Sequence, residues 1–407
     1  DKKTHKIIAL KKVHDAFRND TDSQRTYREV MYLSEFQGHE NIVKLKTVIE
    51  SKFDKDLYLV FEYLDTDLHI AIRSNILESI HKKYIMYQLC KAVKYLHSAD
   101  IIHRDLKPSN VLMKEDCTIK LCDFGLARNV SINSKGLNPV VTESIGTIWY
   151  RSPEVLLGSV KYSKESDIWS LGCFFAELLG GKPIFAGTST INQLNRILEI
   201  TGKPSKEDIL SLQSEYASSL FESITSIKTK SLKSLYKQAT NNELELLNSL
   251  LQFNPYSRLT IEQALENPYF SEFHNEKKER VHHRTVKLPI DDTVKLSVLD
   301  YKKALEDFVK EKKKAEAALK VQLIKQQKKE NLILDDKTNV ESWKQKEKTN
   351  ININSVSSNT NKQSLLDNKF KDNSINFKDN KMLDLGKSQT QTPSNINNIN
   401  KTNYAKK

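Results

Sequence analysis

The run His103-Arg104-Asp105-Leu106-Lys107-Pro108-Ser109-Asn110, with Asp123-Phe124-Gly125 after an interval of twelve residues, holds the side chains best suited to chemistry. Asp105 offers a carboxylate to orient a hydroxyl and accept its proton, and Lys107, two residues along an extended loop, would reach a phosphate. Asn110 and Asp123 add hard oxygen ligands suited to Mg²⁺, which keeps most of its shell as water and phosphate oxygens. Together these types serve phosphoryl transfer from ATP to a hydroxyl. Its transition state is loose, so a protein acts mainly by positioning reactants and neutralising charge. A bare His-Arg-Asp recurs by chance on surface loops, whereas the whole string with a correctly placed Asp-Phe-Gly does not.

Such loops need elements to hold them. Ile7-Ile8-Ala9-Leu10 and Leu57-Tyr58-Leu59-Val60-Phe61 are short β-rich runs, and residues 22–36 between them have helical periodicity through Tyr27, Val30, Met31 and Leu33. From Ser79 the pattern turns helical: Tyr84-Ile85-Met86, Leu89, Val93 and Leu96 predict one long amphipathic helix ending just before His103. Residues 168–179 are almost wholly apolar, as in a helix buried at a lobe's centre, and Asn254-Pro255 and Asn267-Pro268 punctuate later helices. The expected fold class is α+β, a small strand-rich lobe followed by a large helical one.

Charge divides the 407 residues unevenly. Residues 1–270 carry 35 Lys+Arg against 33 Asp+Glu, and residues 271–407 carry 29 against 19. The basic balance belongs to the tail, which suits acidic partners, while the first part has no nucleic-acid footprint. Cys90, Cys117, Cys122 and Cys173 have no C-x-x-C spacing and read as reduced intracellular thiols. Cys122 would lie near the nucleotide, either as a reactive thiol or as a plain buried one. No apolar run reaches the roughly 18 residues of a membrane span, and no secretory signal opens the chain, so the expectation is a soluble cytoplasmic protein. The first residue is Asp1 and the first methionine Met31, which suggests a processed or incomplete chain.

Composition predicts three parts: a catalytic domain at 1–273, a partly helical extension at 274–330, and an Asn/Lys-rich disordered tail at 331–407. In the extension Val298, Tyr301, Leu305 and Phe308 share one helical face, to dock on the domain or to remain a solvated single helix.

These motifs resemble those of eukaryotic Ser/Thr protein kinases, which implies a two-lobed fold, ATP and Mg²⁺ as cofactors, and protein substrates. By that resemblance Ile8-Ala9-Leu10-Lys11 is the strand whose Lys11 holds phosphates, with Glu29 as its helix partner. Ala9, Glu62, Leu64, Asp67 and Leu112 would surround the nucleotide, Asp167 would brace the catalytic loop, and Glu154 would pair with Arg258. Finer marks resemble mitogen-activated protein kinases: Arg25-Thr26-Tyr27-Arg28-Glu29, Gly187-Thr188-Ser189-Thr190, and Thr142-Glu143 ahead of Trp149-Tyr150-Arg151. Asp15-Ala16-Phe17-Arg18-Asn19 and Leu288-Pro289-Ile290-Asp291-Asp292 are similar to the atypical extracellular-signal-regulated kinase 7/8 branch, which suggests nuclei or ciliary bases as further locations.

Departures from the pattern carry information. The family's Gly-rich loop should precede Lys11, yet the first glycine is Gly38, which predicts a truncated chain, an unstable small lobe and weak ATP affinity. The family's Thr-x-Tyr stands as Thr142-Glu143-Ser144, and Ile148 replaces an arginine that helps to bind phosphotyrosine. Arg28, Arg104 and Arg128 match the arginines that gather on phosphothreonine, so a single switch at Thr142 is expected, through autophosphorylation. Gly146 can adopt the positive φ that in proline-directed relatives accommodates Ser/Thr-Pro substrates, or serve as a mere flexible joint, and Thr392-Pro393 is a candidate self-site. Asn275-Glu276-Lys277-Lys278-Glu279 replaces an acidic docking patch, and His282-His283, without acidic or thiol companions, reads as surface rather than metal. Competing readings are a cyclin-dependent-like kinase, from Phe61 and Ile148, and a non-catalytic scaffold.

Overall fold

A computed structural model describes residues 1–353 apart from 3, 52–55, 132–146, 160–162, 215 and 223–226, with side chains as far as 327 except that of 316. Residues 1–324 form one compact unit.

The small lobe is a three-stranded antiparallel sheet, β1 (Ile8–Val13), β2 (Leu45–Glu50) and β3 (Leu57–Glu62), ordered β1-β3-β2. Helix α1 (Asp20–Phe36) lies between the first two strands. Asn19 caps it by accepting the Asp22 N–H at 2.9 Å, and Asp20 and Asp22 place negative charge on its first turn, where the helix dipole favours it. Its core face is Tyr27, Val30, Leu33 and Phe36, all buried. The sequence reading passed over β2, whose burial is broken by exposed Lys46, Ile49 and Glu50 and which a bulge between Leu45 and Thr47 shifts out of simple alternation.

Below it, β4 (Thr66–Asp67) leads into α2 (Leu68–Arg73), and α3 (Ser79–Ser98) crosses the large lobe. The helix α3 stops earlier than its periodicity suggested, because Asp100 takes a left-handed φ of 59° and turns the chain into β5 (Ile101–Ile102). Strands β6 (Val111–Met113) and β7 (Ile119–Leu121) form a sheet with β4 in the order β4-β6-β7, and β5 pairs with β8 (Arg128–Asn129). The catalytic loop therefore leaves one short ladder and enters another. Helix α4 (Pro153–Leu156) precedes α5 (Lys164–Gly180), which runs through the core with Trp169, Phe174 and Phe175 fully buried and ends on Gly181 at φ 73°.

The extension docks. Val286 donates its N–H to Ala99 O at 3.0 Å, and Tyr301 and Leu305 join the same hydrophobic core as Tyr27 and Phe36. Burying side chains of that size contributes about 1.5–3 kcal/mol each. The backbone stays helical from Val298 to Ile353, past position 331 where composition suggested disorder. That stretch contains neither Gly nor Pro and is rich in Lys, Glu and Gln, so nothing local breaks the helix.

Candidate active site

The catalytic loop is organised by one buried carboxylate. Asp167, at the start of α5, accepts the backbone N–H of His103 at 2.8 Å and of Arg104 at 2.9 Å, and its Oδ2 lies 3.1 Å from His97 Nε2. Arg104 has a left-handed φ of 69° and Asp123 one of 63°, conformations that each cost about 1–2 kcal/mol in a residue with a Cβ. The paired bonds to Asp167 hold the first of these in place. Burial pushes the Asp167 carboxyl up, but the bond to His97 and the charges of His97 and His103 outweigh it and leave it below the ordinary range. His97 was not singled out in the sequence. It reads there as one more polar position on an amphipathic helix.

His103 ties the loop to the Asp-Phe-Gly segment. Its Nδ1 accepts the Asp105 N–H at 3.3 Å, so Nε2 carries the proton and donates to Cys122 O at 3.1 Å. Phe124 packs edge-on against the His103 ring at 5.0 Å and against Phe36 at 6.1 Å, which joins the end of α1 to the catalytic loop. At Gly125 a Cβ would come within 2.9 Å of Arg25 Cγ and Nε, so a larger residue would make this arginine move.

At the tip, Lys107 Nζ lies 2.8 Å from Asp105 Oδ2, and Asn110 Nδ2 donates to the same oxygen at 2.9 Å and to Asp105 O at 2.8 Å. Asn110 thereby spends its amide nitrogen on Asp105, and among the described residues its Oδ1 has no hydrogen-bond partner, so that end is open. Burial pushes the Asp123 carboxyl up, yet Lys11, Arg25 and His103 draw it below the usual carboxylate range, so it is an anion at neutral pH. An amide oxygen and one carboxylate match Mg²⁺, which takes one or two protein oxygens and fills its shell with water and phosphate. Among the described residues no group of three or more His, Cys, Asp or Glu makes a dedicated metal cage.

In the small lobe, Lys11 Nζ is 2.6 Å from Glu29 Oε1. Burial lowers the Lys11 ammonium, but Glu29 and Asp123 outweigh it and hold it above the ordinary lysine range. Glu29 is driven upward by burial against the pull of Lys11. Lys11 lies opposite Leu59, and Ala9 opposite Phe61, on the β1–β3 ladder, while Asp67 and Leu112 face each other on β4–β6. Leu64 is buried at the crossing between lobes. Glu62 accepts the Lys44 N–H at 2.9 Å and pairs with Lys120 at 3.0 Å. Asp67, expected near a ribose, caps α2 by accepting the Ile70 N–H at 3.0 Å. The Cys122 thiol lies among these charges. Burial, Asp123, Glu29 and Asp67 push it up to about 12 against the pull of Lys11.

The three arginines assigned to a phosphothreonine converge on the carbonyls of 125–127. Arg28 Nη1 donates to Gly125 O at 2.6 Å, Arg104 Nη1 to Leu126 O at 3.4 Å, and Arg128 Nη1 to Ala127 O at 2.9 Å. Arg28 also pairs with Asp292 of the extension, a partner the sequence reading missed. Thr142 and Gly146 lie outside the described residues. Beyond them Arg151 donates its N–H to Ile148 O at 3.1 Å, and Trp149 Nε1 donates to Gly187 O at 2.9 Å. Glu154 and Arg258 form a buried two-pronged pair at 2.7 and 2.8 Å. In the replaced docking segment Glu279 is buried and taken up by Lys94, Tyr87 and His274, leaving its carboxylate nothing to offer a basic peptide.

A strand-rich lobe closed by a Lys–Glu pair, set over a helical lobe that carries an Asp-Lys-Asn loop, defines a protein kinase, and residues 1–270 match the protein kinase domain. The chain belongs to that family. Within it the chain is similar to mitogen-activated kinases: 51% identical over 318 residues to extracellular signal-regulated kinase 2 of Dictyostelium discoideum, covering 78% of this chain and 86% of that one. It is 50% identical to mitogen-activated protein kinase 15 of Xenopus laevis, over 77% of this chain and 54% of the relative, and 46% identical to that of Caenorhabditis elegans, over 77% and 68%. It is thus a protein serine/threonine kinase of the mitogen-activated type.

Proposed function

We propose that this kinase transfers the γ-phosphate of ATP to serine or threonine followed by proline, and that phosphorylation of Thr142 switches it on. The observation that carries this reading is the convergence of Lys107 and Asn110 on Asp105 Oδ2, below a closed Lys11–Glu29 pair. Asp105 orients the substrate hydroxyl and takes its proton as the new O–P bond forms and the bond to ADP breaks. Lys107 neutralises charge on the phosphoryl group in transit, and Lys11, aimed by Glu29, holds the non-transferring phosphates. Kinases of this family are in general ATP- and Mg-dependent; here Asn110 Oδ1 and the Asp123 carboxylate would hold Mg²⁺, which when bound supplies positive charge to the phosphates.

The convergence of Arg28, Arg104 and Arg128 on 125–127 supports a phosphothreonine switch, since bidentate guanidinium groups suit a dianionic phosphate. Proline selection rests on Gly146 and on the mitogen-activated relatives. The partners are Ser/Thr-Pro proteins, with acidic partners for the Lys-rich tail. The test is radiolabelled phosphate transfer to paired Ser-Pro and Ser-Ala peptides by wild type, Asp105→Asn and Thr142→Ala. Equal transfer to both peptides removes proline direction; equal rates for wild type and Asp105→Asn return the scaffold reading.

A further inference from the structure

The extension places a carboxylate where the helix α1 needs a counter-charge. Arg28 is fully buried, and a buried guanidinium is tolerated only with a partner. Its Nε donates to Asp292 Oδ1 at 3.1 Å and its Nη1 to Gly125 O, while Nη2 is buried with no hydrogen-bond partner among the described residues. Asp292 does not drift over this site. Gln24, one turn before Arg28 on α1, donates to Asp292 O at 3.2 Å, and the Tyr27 ring lies 5.8 Å from that of Tyr301. Tyr301 in turn bonds Val294 O at 3.1 Å, and Asp291 Oδ1 accepts the N–H and the hydroxyl of Thr293. Asp292 thus sits in a short stretch fixed at both ends.

Arg28 and Glu29 are neighbours on one helix. A guanidinium held at two nitrogens sets the rotation of α1 about its axis, and that rotation decides whether Glu29 reaches Lys11. A phosphate on the activation segment would provide such a hold only after modification. Asp292 provides one from within the chain.

We propose that Asp292 is a positioning residue for phosphoryl transfer: through Arg28 it keeps Glu29 aimed at Lys11 before Thr142 is phosphorylated, and so sustains a basal activity able to start autophosphorylation. This rests on the function proposed above. It departs from it by assigning a role to the extension, and by predicting that the role is largest when the phosphate is absent.

The test compares Asp292 and Asp292→Asn in two forms of the complete protein, Thr142→Ala and the form phosphorylated at Thr142. In the Thr142→Ala background Asp292→Asn is expected to lower kcat at least tenfold with KM for the peptide within threefold, and Asp292→Glu to recover at least a third of the loss. In the phosphorylated form the loss should stay below threefold. Gln24→Met, which frees the Asp292 carbonyl and the bond from Gln24 to Tyr301 but leaves the Arg28–Asp292 ion pair its atoms, should give the same pattern at two- to threefold and serves if Asp292→Asn folds poorly. Independently of activity, hydrogen exchange of the α1 amides should speed up in Asp292→Asn while that of α5 is unchanged. Equal kcat for Asp292 and Asp292→Asn, equal losses in both phosphorylation states, no basal activity in Thr142→Ala, or unchanged exchange in α1 would each overturn the proposal. If no form exceeds Asp105→Asn, the proposed function fails instead, and the exchange measurement still judges the Arg28–Asp292 brace.

Discussion

Lys107 and Asp105 form an ion pair across two residues of loop, Nζ to Oδ2 at 2.8 Å, and Asn110 donates to the same oxygen. One carboxylate oxygen is therefore fixed from two sides, which on the proposed function leaves Oδ1 to meet a substrate hydroxyl. Pre-organisation of this kind removes a search from the reaction. Asp105→Asn keeps the shape and removes the base. It should lower kcat by about 10²–10⁴, the usual worth of a positioned general base, with an unchanged melting temperature. Radiolabelled phosphate transfer measures the first and differential scanning fluorimetry the second.

A different pair carries stability. Arg258 and Glu154 are bound at two points, with side-chain exposures of 0% and 3%. Burial pushes the Glu154 carboxyl up, but the Arg258 charge and hydrogen bonds outweigh it and hold it below the ordinary range. Arg258→Met strands a buried anion, which typically costs about 3–5 kcal/mol. Urea unfolding at neutral pH should show that loss. A change under about 1 kcal/mol would mean that the pair contributes little net stability.

What the sequence made legible is what chemistry and periodicity mark directly. The loop 103–110, Asp123-Phe124-Gly125 and the apolar run in α5 need no tertiary information, because their residue types and spacing are local. The face of Tyr301 and Leu305 was visible as a face, but whether it docked depended on Tyr27 and Phe36, more than 260 residues earlier. His97, and the pairing of Asp292 with Arg28, were silent for the same reason. Each acts through a partner, Asp167 or Arg28, that only the fold brings within hydrogen-bond reach. Family position marks Asp67 as a nucleotide contact; its cap of α2, where it accepts the Ile70 N–H, is a second use that the sequence did not show.

The Cys122 thiol precedes Asp123 and was open to two readings, reactive or plainly buried. Burial and the nearby carboxylates push it up to about 12, so at pH 7.5 fewer than about one thiol in ten thousand is a thiolate. Iodoacetamide at that pH should label Cys117, in the turn between β6 and β7, well before Cys122; both residues are partly exposed, so the order follows the proton and not access. Peptide mass spectrometry after timed quenching gives the order. Early labelling of Cys122 would mean that the carboxylates around it do not hold the proton on.

Acid should act on the junction between lobes before it reaches the buried carboxylates. His39 is buried against the Tyr95 ring at 4.6 Å, and its Nδ1 accepts the Asn41 N–H at 3.1 Å, a bond that requires that nitrogen unprotonated. Burial, with Lys91, Arg280 and Lys120, lowers its pKa to about 4 against the opposing pull of Glu40. The unfolded chain titrates near 6.5, so the unfolded state takes up this proton first as pH falls. Above about pH 6.5 the group costs nothing; as pH falls from there the folded state loses stability, and the loss reaches about 3 kcal/mol by about pH 4. The buried carboxylates with depressed values, Asp167 and Glu154, lose theirs only below about pH 4.5. Urea midpoints taken from pH 7.5 to 4.5 should therefore fall in the wild type and fall much less in His39→Gln. Parallel curves for the two proteins would show that His39 takes up its proton as easily in the folded chain as in the unfolded one.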